Sequence, residues 1–256
     1  MKIIDLIMRF PPFRMIFRIF KKTKLKYNFT KEFFKFRELS SQTQSRFELS
    51  WNDRLPQLND KTEVTQFDRH YIYHLAWAAR ILAKIKPKFH VDVSSSLYFS
   101  SLISSFLPVK FYDYRPPVLS LDNLTVGFAD LLQLPFKNRS TMSISSMHVV
   151  EHIGLGRYGD PLDPNGDLKA INELKRVVAE KGFLLFVVPI GKAKIHFNAH
   201  RIYSYEQIMR YFSDFKLLEF ALIPDSHDDG GLIYNPEPEY ANSQNYGCGC
   251  FLFQRS

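Results

Sequence analysis

The sequence predicts a three-layer α/β fold with a mostly parallel sheet and an antiparallel edge hairpin, preceded by a basic helical N-terminal extension. Three observations carry this. From residue 89 onward, short β-branched and aromatic runs alternate with helical patterns, as parallel sheets covered on both faces require. The last two apolar runs are joined by a long Pro, Gly and Asn stretch instead of a helix, which suits a hairpin. The 256 residues are 45% hydrophobic and 15% aromatic, enough for one large core and too apolar for general disorder.

The extension comes first, as residues 1–60, with the α/β domain expected over 61–256. Residues 1–37 hold eleven Lys and Arg against Asp5 and Glu32, more than the whole-chain net charge of +8, so the rest of the chain is slightly acidic. Arg9, Arg14 and Arg18 cut every apolar run short of the ~20 residues that cross a bilayer. Charges inside the apolar stretch also make a poor signal peptide. Phe13, Ile16, Phe17 and Phe20 recur at helical spacing among Arg14, Arg18, Lys21 and Lys22. Such a basic amphipathic helix suits peripheral contact with an anionic membrane face through residues 10–26, or docking on a protein surface. No nucleic-acid motif accompanies the charge, so no nucleic-acid partner is expected. SSQTQS at 40–45 reads as a linker.

In FDRHYIYHLAWAARILAKIKP (67–87), Tyr71, Leu75, Ala78, Ala79, Leu82 and Ile85 predict a helix with one broad apolar face, stopped by Pro87. Strands are then expected at 89–93, 109–113, 125–128, 142–147, 183–189, 216–223 and 248–254. Helices are expected at 96–106, 166–179 and 204–213. Cys248 and Cys250, the only cysteines, give no disulfide framework and point to a reducing, cytoplasmic setting. On a strand they share a face and read as a packed thiol pair, because no second ligand pair stands nearby in sequence.

Ligands of such sheets bind outside the carboxyl ends of the strands, at the point where strand order reverses. Asp92 lies in the first strand, Asp113 ends the second and Asp130 follows the third. Where a nucleotide-binding turn usually carries glycines, the first strand runs into three serines, VDVSSS. No G-x-G-x-x-G is present, which argues against a dinucleotide cofactor.

The succession VDVSSS, FYDYRP, ADLLQLPF, SISSMHVVEHIG and GFLLFVVPI resembles the class I S-adenosylmethionine-dependent methyltransferases, over residues 88–256. FDRHY, HVVEHIGLGRYGDPLDPNGD, FNAHRIYSYEQ and GCGCFLF more narrowly resemble a bacterial branch, domain-of-unknown-function family 268. The resemblance implies a Rossmann-like sheet and S-adenosylmethionine as cofactor. It places Asp92, Ser94 and Ser95 at the methionyl end, Asp113 and Tyr114 at the ribose, and Asp130 and Leu131 at the adenine. It departs from the pattern at the serines, and at Thr141–Met142, where relatives carry an aromatic and Asp. A serine at a positive-φ glycine position costs ~1–2 kcal/mol. The turn is therefore either remodelled and working or no longer binds cofactor, which would leave a non-catalytic module recruited to a membrane or partner.

The remaining polar groups fall in loops on the ligand side. His148, His152, His196 and His200 are candidates for a general base. Arg157, Tyr158, Asn198 and Arg201 are candidates for holding a small polar or glycan acceptor, such as a sugar hydroxyl in surface-polysaccharide biosynthesis. HVVEH also matches the inverted zinc-peptidase pattern, with Glu151 between His148 and His152, although Gly154 and Gly156 deny it a long helix. In GLGRYGDPLDPNGD, Asp160 and Asp163 read as turn residues or cation ligands and Asp167 as a helix N-cap. No metal is assigned, and oligomeric state is not legible.

Overall fold

The computed structural model describes residues 11–43 and 46–256. Asp5 and Arg9, Gln44 and Ser45 of the linker, and the side chains of Phe13, Arg14 and Arg18 lie outside the described residues. The chain divides into two units, residues 1–66 and 67–256.

In the first unit, α1 spans Pro11–Ser41, so SSQTQS begins as a helical turn and not as a loop. Proline at the helix start is harmless, because the first N–H groups lack intrahelical partners. Met15, Ile16, Phe17, Ile19 and Phe20 are all exposed. At about 100° per residue they cover more than half the circumference, so the expected one-sided apolar face is replaced by a broad one. A 3₁₀ turn at Trp51–Asp53 is capped by Ser50. Its Trp51 ring meets Phe33 edge-on at 4.8 Å and stacks on Phe34 at 5.7 Å. No helix among the described residues is long and apolar enough to cross a membrane.

In the second unit, α2 (Arg69–Ile85) is capped by Asp68, whose carboxylate accepts from the Tyr71 N–H, and ends on Lys86 in the left-handed region before Pro87. Its buried stripe is His74, Trp77, Ala78, Ile81 and Leu82, while Tyr71 is exposed. This corrects the expected face by a fraction of a turn, because Trp77 supplies more apolar area than Tyr71. Then follow β1 (His90–Val93), α3 (Leu97–Ile103), β2 (Val109–Asp113), β3 (Leu124–Phe128), β4 (Thr141–Met147) and α4 (Gly166–Val177). The chain continues through β5 (Val178–Ile190), β6 (Lys194–His196), β7 (His200–Ile202), α5 (Tyr205–Tyr211), β8 (Phe215–Ile223), β9 (Ile233–Tyr234), α6 (Pro238–Ser243) and β10 (Gly247–Arg255).

The main sheet has the order β3-β2-β1-β4-β5-β10-β8-β9. The pairs β1–β2, β2–β3, β1–β4 and β4–β5 are parallel, whereas β10 runs antiparallel to both β5 and β8. The final hairpin thus inserts its last strand inward, with the short β9 outermost. Along β5 the pleat sends Leu184, Phe186, Val188 and Ile190 to the core shared with Ile171 and Leu174 of α4, and Leu185 and Val187 to the core shared with Trp77 of α2 and Phe99 of α3. Cys248 and Cys250 join this second core. Strand order reverses between β1 and β4, which puts the ligand crevice beyond Val93 and Met147.

Candidate functional site

The serine turn is the first element of that crevice. Ser94 takes the left-handed conformation, φ 56°, that the missing glycine would have filled, and its N–H donates to the Tyr112 carbonyl at 2.7 Å. Ser95 points inward: its Oγ accepts from the Met147 N–H at 3.0 Å and its hydroxyl bonds Asp92. Ser96 opens α3 without a side-chain cap.

Asp92 is fully buried and lines neither of the two cavities described below. It accepts from Ser100 Oγ at 2.6 Å and Ser145 Oγ at 2.5 Å. Burial pushes its carboxyl up to about 6, against the hydroxyl bonds that pull the other way. Because Ser145 spends its proton on Asp92, it can only accept from His90 Nε2–H, at 2.9 Å. His90 Nδ1 then accepts from Ser143 at 2.8 Å. Burial lowers His90 to about 3, so it is neutral. Asp92 and Ser95, expected at the methionyl end, thus belong to a hydrogen-bonded core that ties β1 to β4.

A cavity of about 250 Å³ lies beside the turn, lined by Ser94, Asp113, Tyr114, Asp130, Leu131 and Leu132 among others. Asp113 and Asp130 each spend one oxygen on the backbone. Asp113 Oδ1 accepts from the Arg115 N–H at 2.7 Å and Asp130 Oδ1 from the Leu132 N–H at 2.8 Å. These Asx turns hold both side chains beside that cavity. A second cavity, about 600 Å³, is lined by His70, Tyr71, Glu151, Arg157, His200, Asp225 and Tyr246 among others. Ser94, His148, His152 and Tyr158 line both.

The histidines differ in what they can do. His148 is buried, has φ 57° and donates Nδ1–H to Glu151 Oε1 at 2.8 Å, so Nε2 holds the lone pair, 3.4 Å from Cys248 Sγ. His152 donates Nδ1–H to the Ala199 carbonyl at 2.6 Å. His200 lines the larger cavity, and burial lowers its pKa, helped by His196. His196 and Asn198 line neither cavity. His196 sits exposed on β6, in a hairpin where a loop was expected. HVVEH does not form a zinc-peptidase helix: Val150–His152 is a 3₁₀ turn, and Glu151 is buried against His148 instead of facing water.

Arg201 is also a correction. It is buried, pairs with Asp167 at 3.5 Å and donates to the carbonyls of Ile153 at 2.7 Å and Pro164 at 3.3 Å, so it holds the loop and not an acceptor. Asp167 accepts from Tyr203 Oη at 3.0 Å instead of capping α4, whose N-cap is Asn165. Asp160 binds the N–H groups of Gly154 and Tyr158 at 2.6 and 3.2 Å, and Asp163 pairs with Lys169 at 2.7 Å, so their carboxylates serve the loop. Gly154 has φ 82°, and a Cβ there would run into the Asp163 backbone. Arg157 and Tyr158 do face the larger cavity, with Arg115 and Arg157 lying 5.2 and 5.1 Å from the Tyr158 ring.

His70, Asp225 and Tyr246 line the larger cavity without having been singled out by sequence reasoning. His70 lies in FDRHY, where the acid–basic–basic run ahead of an apolar helix was the available signal. Tyr246 follows a loop with no periodicity to read.

Comparison with known proteins places this geometry. A family model described as "Caenorhabditis protein of unknown function, DUF268" matches residues 128–223. Its description names Caenorhabditis, where the resemblance of the sequence motifs implied a bacterial branch. No curated protein matches the chain. Among solved structures, YcgJ of Bacillus subtilis matches at 13% identity and TM-score 0.50, covering 70% of this chain and 98% of that one. The "putative sarcosine dimethylglycine methyltransferase" of Galdieria sulphuraria matches at 14% identity and TM-score 0.50, covering 72% and 86%. The chain has the Rossmann-like methyltransferase fold.

Proposed function

We propose that the chain is an S-adenosylmethionine-dependent methyltransferase, with the cofactor held between Ser94, Asp113 and Asp130 and a small polar or sugar hydroxyl acceptor in the histidine-lined cavity. One observation carries this reading: carboxylates from two successive strand tips line one cavity with the serine turn. A carboxylate accepts two hydrogen bonds from a vicinal diol, which suits Asp113 to a ribose, with Tyr114 beside it. Asp130 suits an exocyclic amine, with Leu131 and Leu132 as an apolar wall. The Ser94 end suits the amino-acid part. S-adenosylmethionine supplies an already activated methyl group, so the protein's work is chiefly alignment, worth up to ~7–11 kcal/mol.

Of the four candidate bases, His148 and His152 line both cavities. The His148 lone pair faces Cys248. We therefore assign proton removal to His152, whose Nδ1–H bond to Ala199 fixes the lone pair on Nε2. A positioned base adds ~10²–10⁴-fold. His200, Arg157 and Tyr158 would orient the acceptor. The exposed apolar residues Met15 to Phe20, beside Lys21 and Lys22, support peripheral contact with a membrane on the cytoplasmic side, where surface-polysaccharide intermediates would be met.

Calorimetric titration with S-adenosylmethionine tests the reading. The wild-type chain should bind it, Asp113→Ala should weaken binding at least tenfold, and His152→Gln should leave affinity near wild type. No binding at millimolar cofactor would favour the non-catalytic module. Unchanged affinity in Asp113→Ala would remove the ribose assignment.

A further inference from the structure

Where β4 ends and β10 begins, both strands flank the carboxyl end of β5. The His148 N–H bonds the Val187 carbonyl, and Cys248 lies opposite Pro189. The first turn of α2 brings His70 to the same place. The donor atoms of His70, His148 and Cys248 all lie within 4.8 Å of one another. Two imidazoles and a thiol from positions far apart in sequence form a donor set that zinc-class cations prefer.

The spacing has a quantitative meaning. With metal–nitrogen bonds of about 2.0–2.1 Å and a metal–sulfur bond of about 2.3 Å, tetrahedral geometry separates the two ligand atoms by about 3.6 Å. His148 Nε2 and Cys248 Sγ are 3.4 Å apart. Glu151 accepts a hydrogen bond from His148 Nδ1–H, which leaves Nε2 to bind a metal, the carboxylate–histidine arrangement that orients metal-bound imidazoles. His70 is held in turn by a hydrogen bond to the Tyr246 backbone and by stacking on that ring at 4.9 Å.

Two further observations stand apart from the spacing. His148 keeps a left-handed backbone, φ 57°, a conformation retained where surroundings over-determine it and frequent at functional sites. Among the described residues, four buried side-chain polar atoms lack partners, and two border this cluster. They are Glu151 Oε2, on the carboxylate that holds His148, and His74 Nε2, on a ring 5.0 Å from the His148 ring. Native proteins seldom leave such groups unpaired without a use for the site.

We propose that His70, His148 and Cys248 bind one zinc-class divalent cation, with a fourth coordination position open to the histidine-lined cavity. On binding, the Cys248 S–H bond breaks, its proton leaves to solvent and a metal–sulfur bond forms. Three protein ligands with one open position make the arrangement of a site that binds and polarises an oxygen of a small molecule. The site stands without the methyl donor. If that reading holds too, His148, which lines both cavities, puts the cation beside the point of transfer.

The test uses the full chain, stripped with a chelator and titrated with Co²⁺, then Zn²⁺. The wild type should take up one Co²⁺ per chain with a thiolate charge-transfer band in the near ultraviolet, and Zn²⁺ should displace it. Cys248→Ser should abolish the band, Cys250→Ser should keep it, and His70→Gln should weaken uptake at least tenfold with an unchanged melting temperature. Asp113→Ala should take up metal as the wild type does, which separates this proposal from the cofactor reading. A wild type with no band, or a band that survives Cys248→Ser, would overturn the site. So would uptake lost equally in the His196→Ala/His200→Ala double variant.

Discussion

The polar chain around Asp92, which runs along β1 and β4, and the histidine cluster around His148, which lies beyond the end of β4, are both set among apolar layers, yet one is closed and the other open. From Ser143 through His90, Ser145 and Asp92 to Ser100, each proton has one acceptor. Around His148, a carboxylate oxygen and an imidazole nitrogen are left over, and the backbone is held left-handed. An unpaired buried polar atom costs ~1–3 kcal/mol and a left-handed non-glycine residue ~1–2 kcal/mol. A closed network is what the sheet needs to bury polar residues. An open one costs stability, and that cost is the physical ground for placing chemistry at His148 and not at Asp92.

Breaking a closed network should cost most. Arg201→Met removes the partner of Asp167 and the donor to the Ile153 and Pro164 carbonyls, leaving a buried carboxylate with Tyr203 alone. The expected loss is ~3–5 kcal/mol in chemical denaturation. A loss under 1 kcal/mol would mean that Arg201 is free to serve a ligand after all.

The Asp92 chain can be opened from either end, with opposite signs. Asp92 has its folded pKa raised from 3.8 to about 6, so between those values the folded state holds a proton that the unfolded state has lost. Its contribution to stability therefore falls as pH rises through that window. His90 has its folded pKa lowered from 6.5 to about 3, so the unfolded state holds the extra proton and stability rises with pH there. Each slope is about 1.4 kcal/mol per pH unit, and from about pH 4 to 6 they cancel. Asp92→Asn should leave stability rising with pH across that range, and His90→Gln should leave it falling. Slopes of the same sign in both variants would show that one of the two shifts runs in the other direction.

Much of the fold was legible because periodicity reports burial. Leu184 to Ile190 had to be a strand covered on both faces, and Asp113 and Asp130 had to fall at strand tips. What escaped was whatever depends on partners distant in sequence. Arg201 reads as a surface loop residue until Asp167 and two carbonyls are placed around it. Cys248 and Cys250 read as a thiol pair because His70 and His148 cannot be seen beside them. The pattern places Tyr71 in the helix core because it counts apolar residues, whereas packing weighs their area, and Trp77 carries more.

The smallest effect bears on the serine turn itself. Ser94→Gly removes a left-handed penalty of ~1–2 kcal/mol but adds unfolded-state entropy worth ~0.5–1 kcal/mol, for a net gain of up to about 1.5 kcal/mol. The Ser94 hydroxyl reaches the Tyr112 carbonyl only at 3.4 Å, a weak bond, so Ser94→Ala should match the wild type within about 0.5 kcal/mol. Together the two variants separate backbone from side chain. A gain in the glycine variant with no change in the alanine one means that the left-handed backbone at Ser94 carries the strain and the hydroxyl carries no stability. A clear loss in Ser94→Ala would instead assign the hydroxyl a structural partner, and the turn would belong with the closed network behind it.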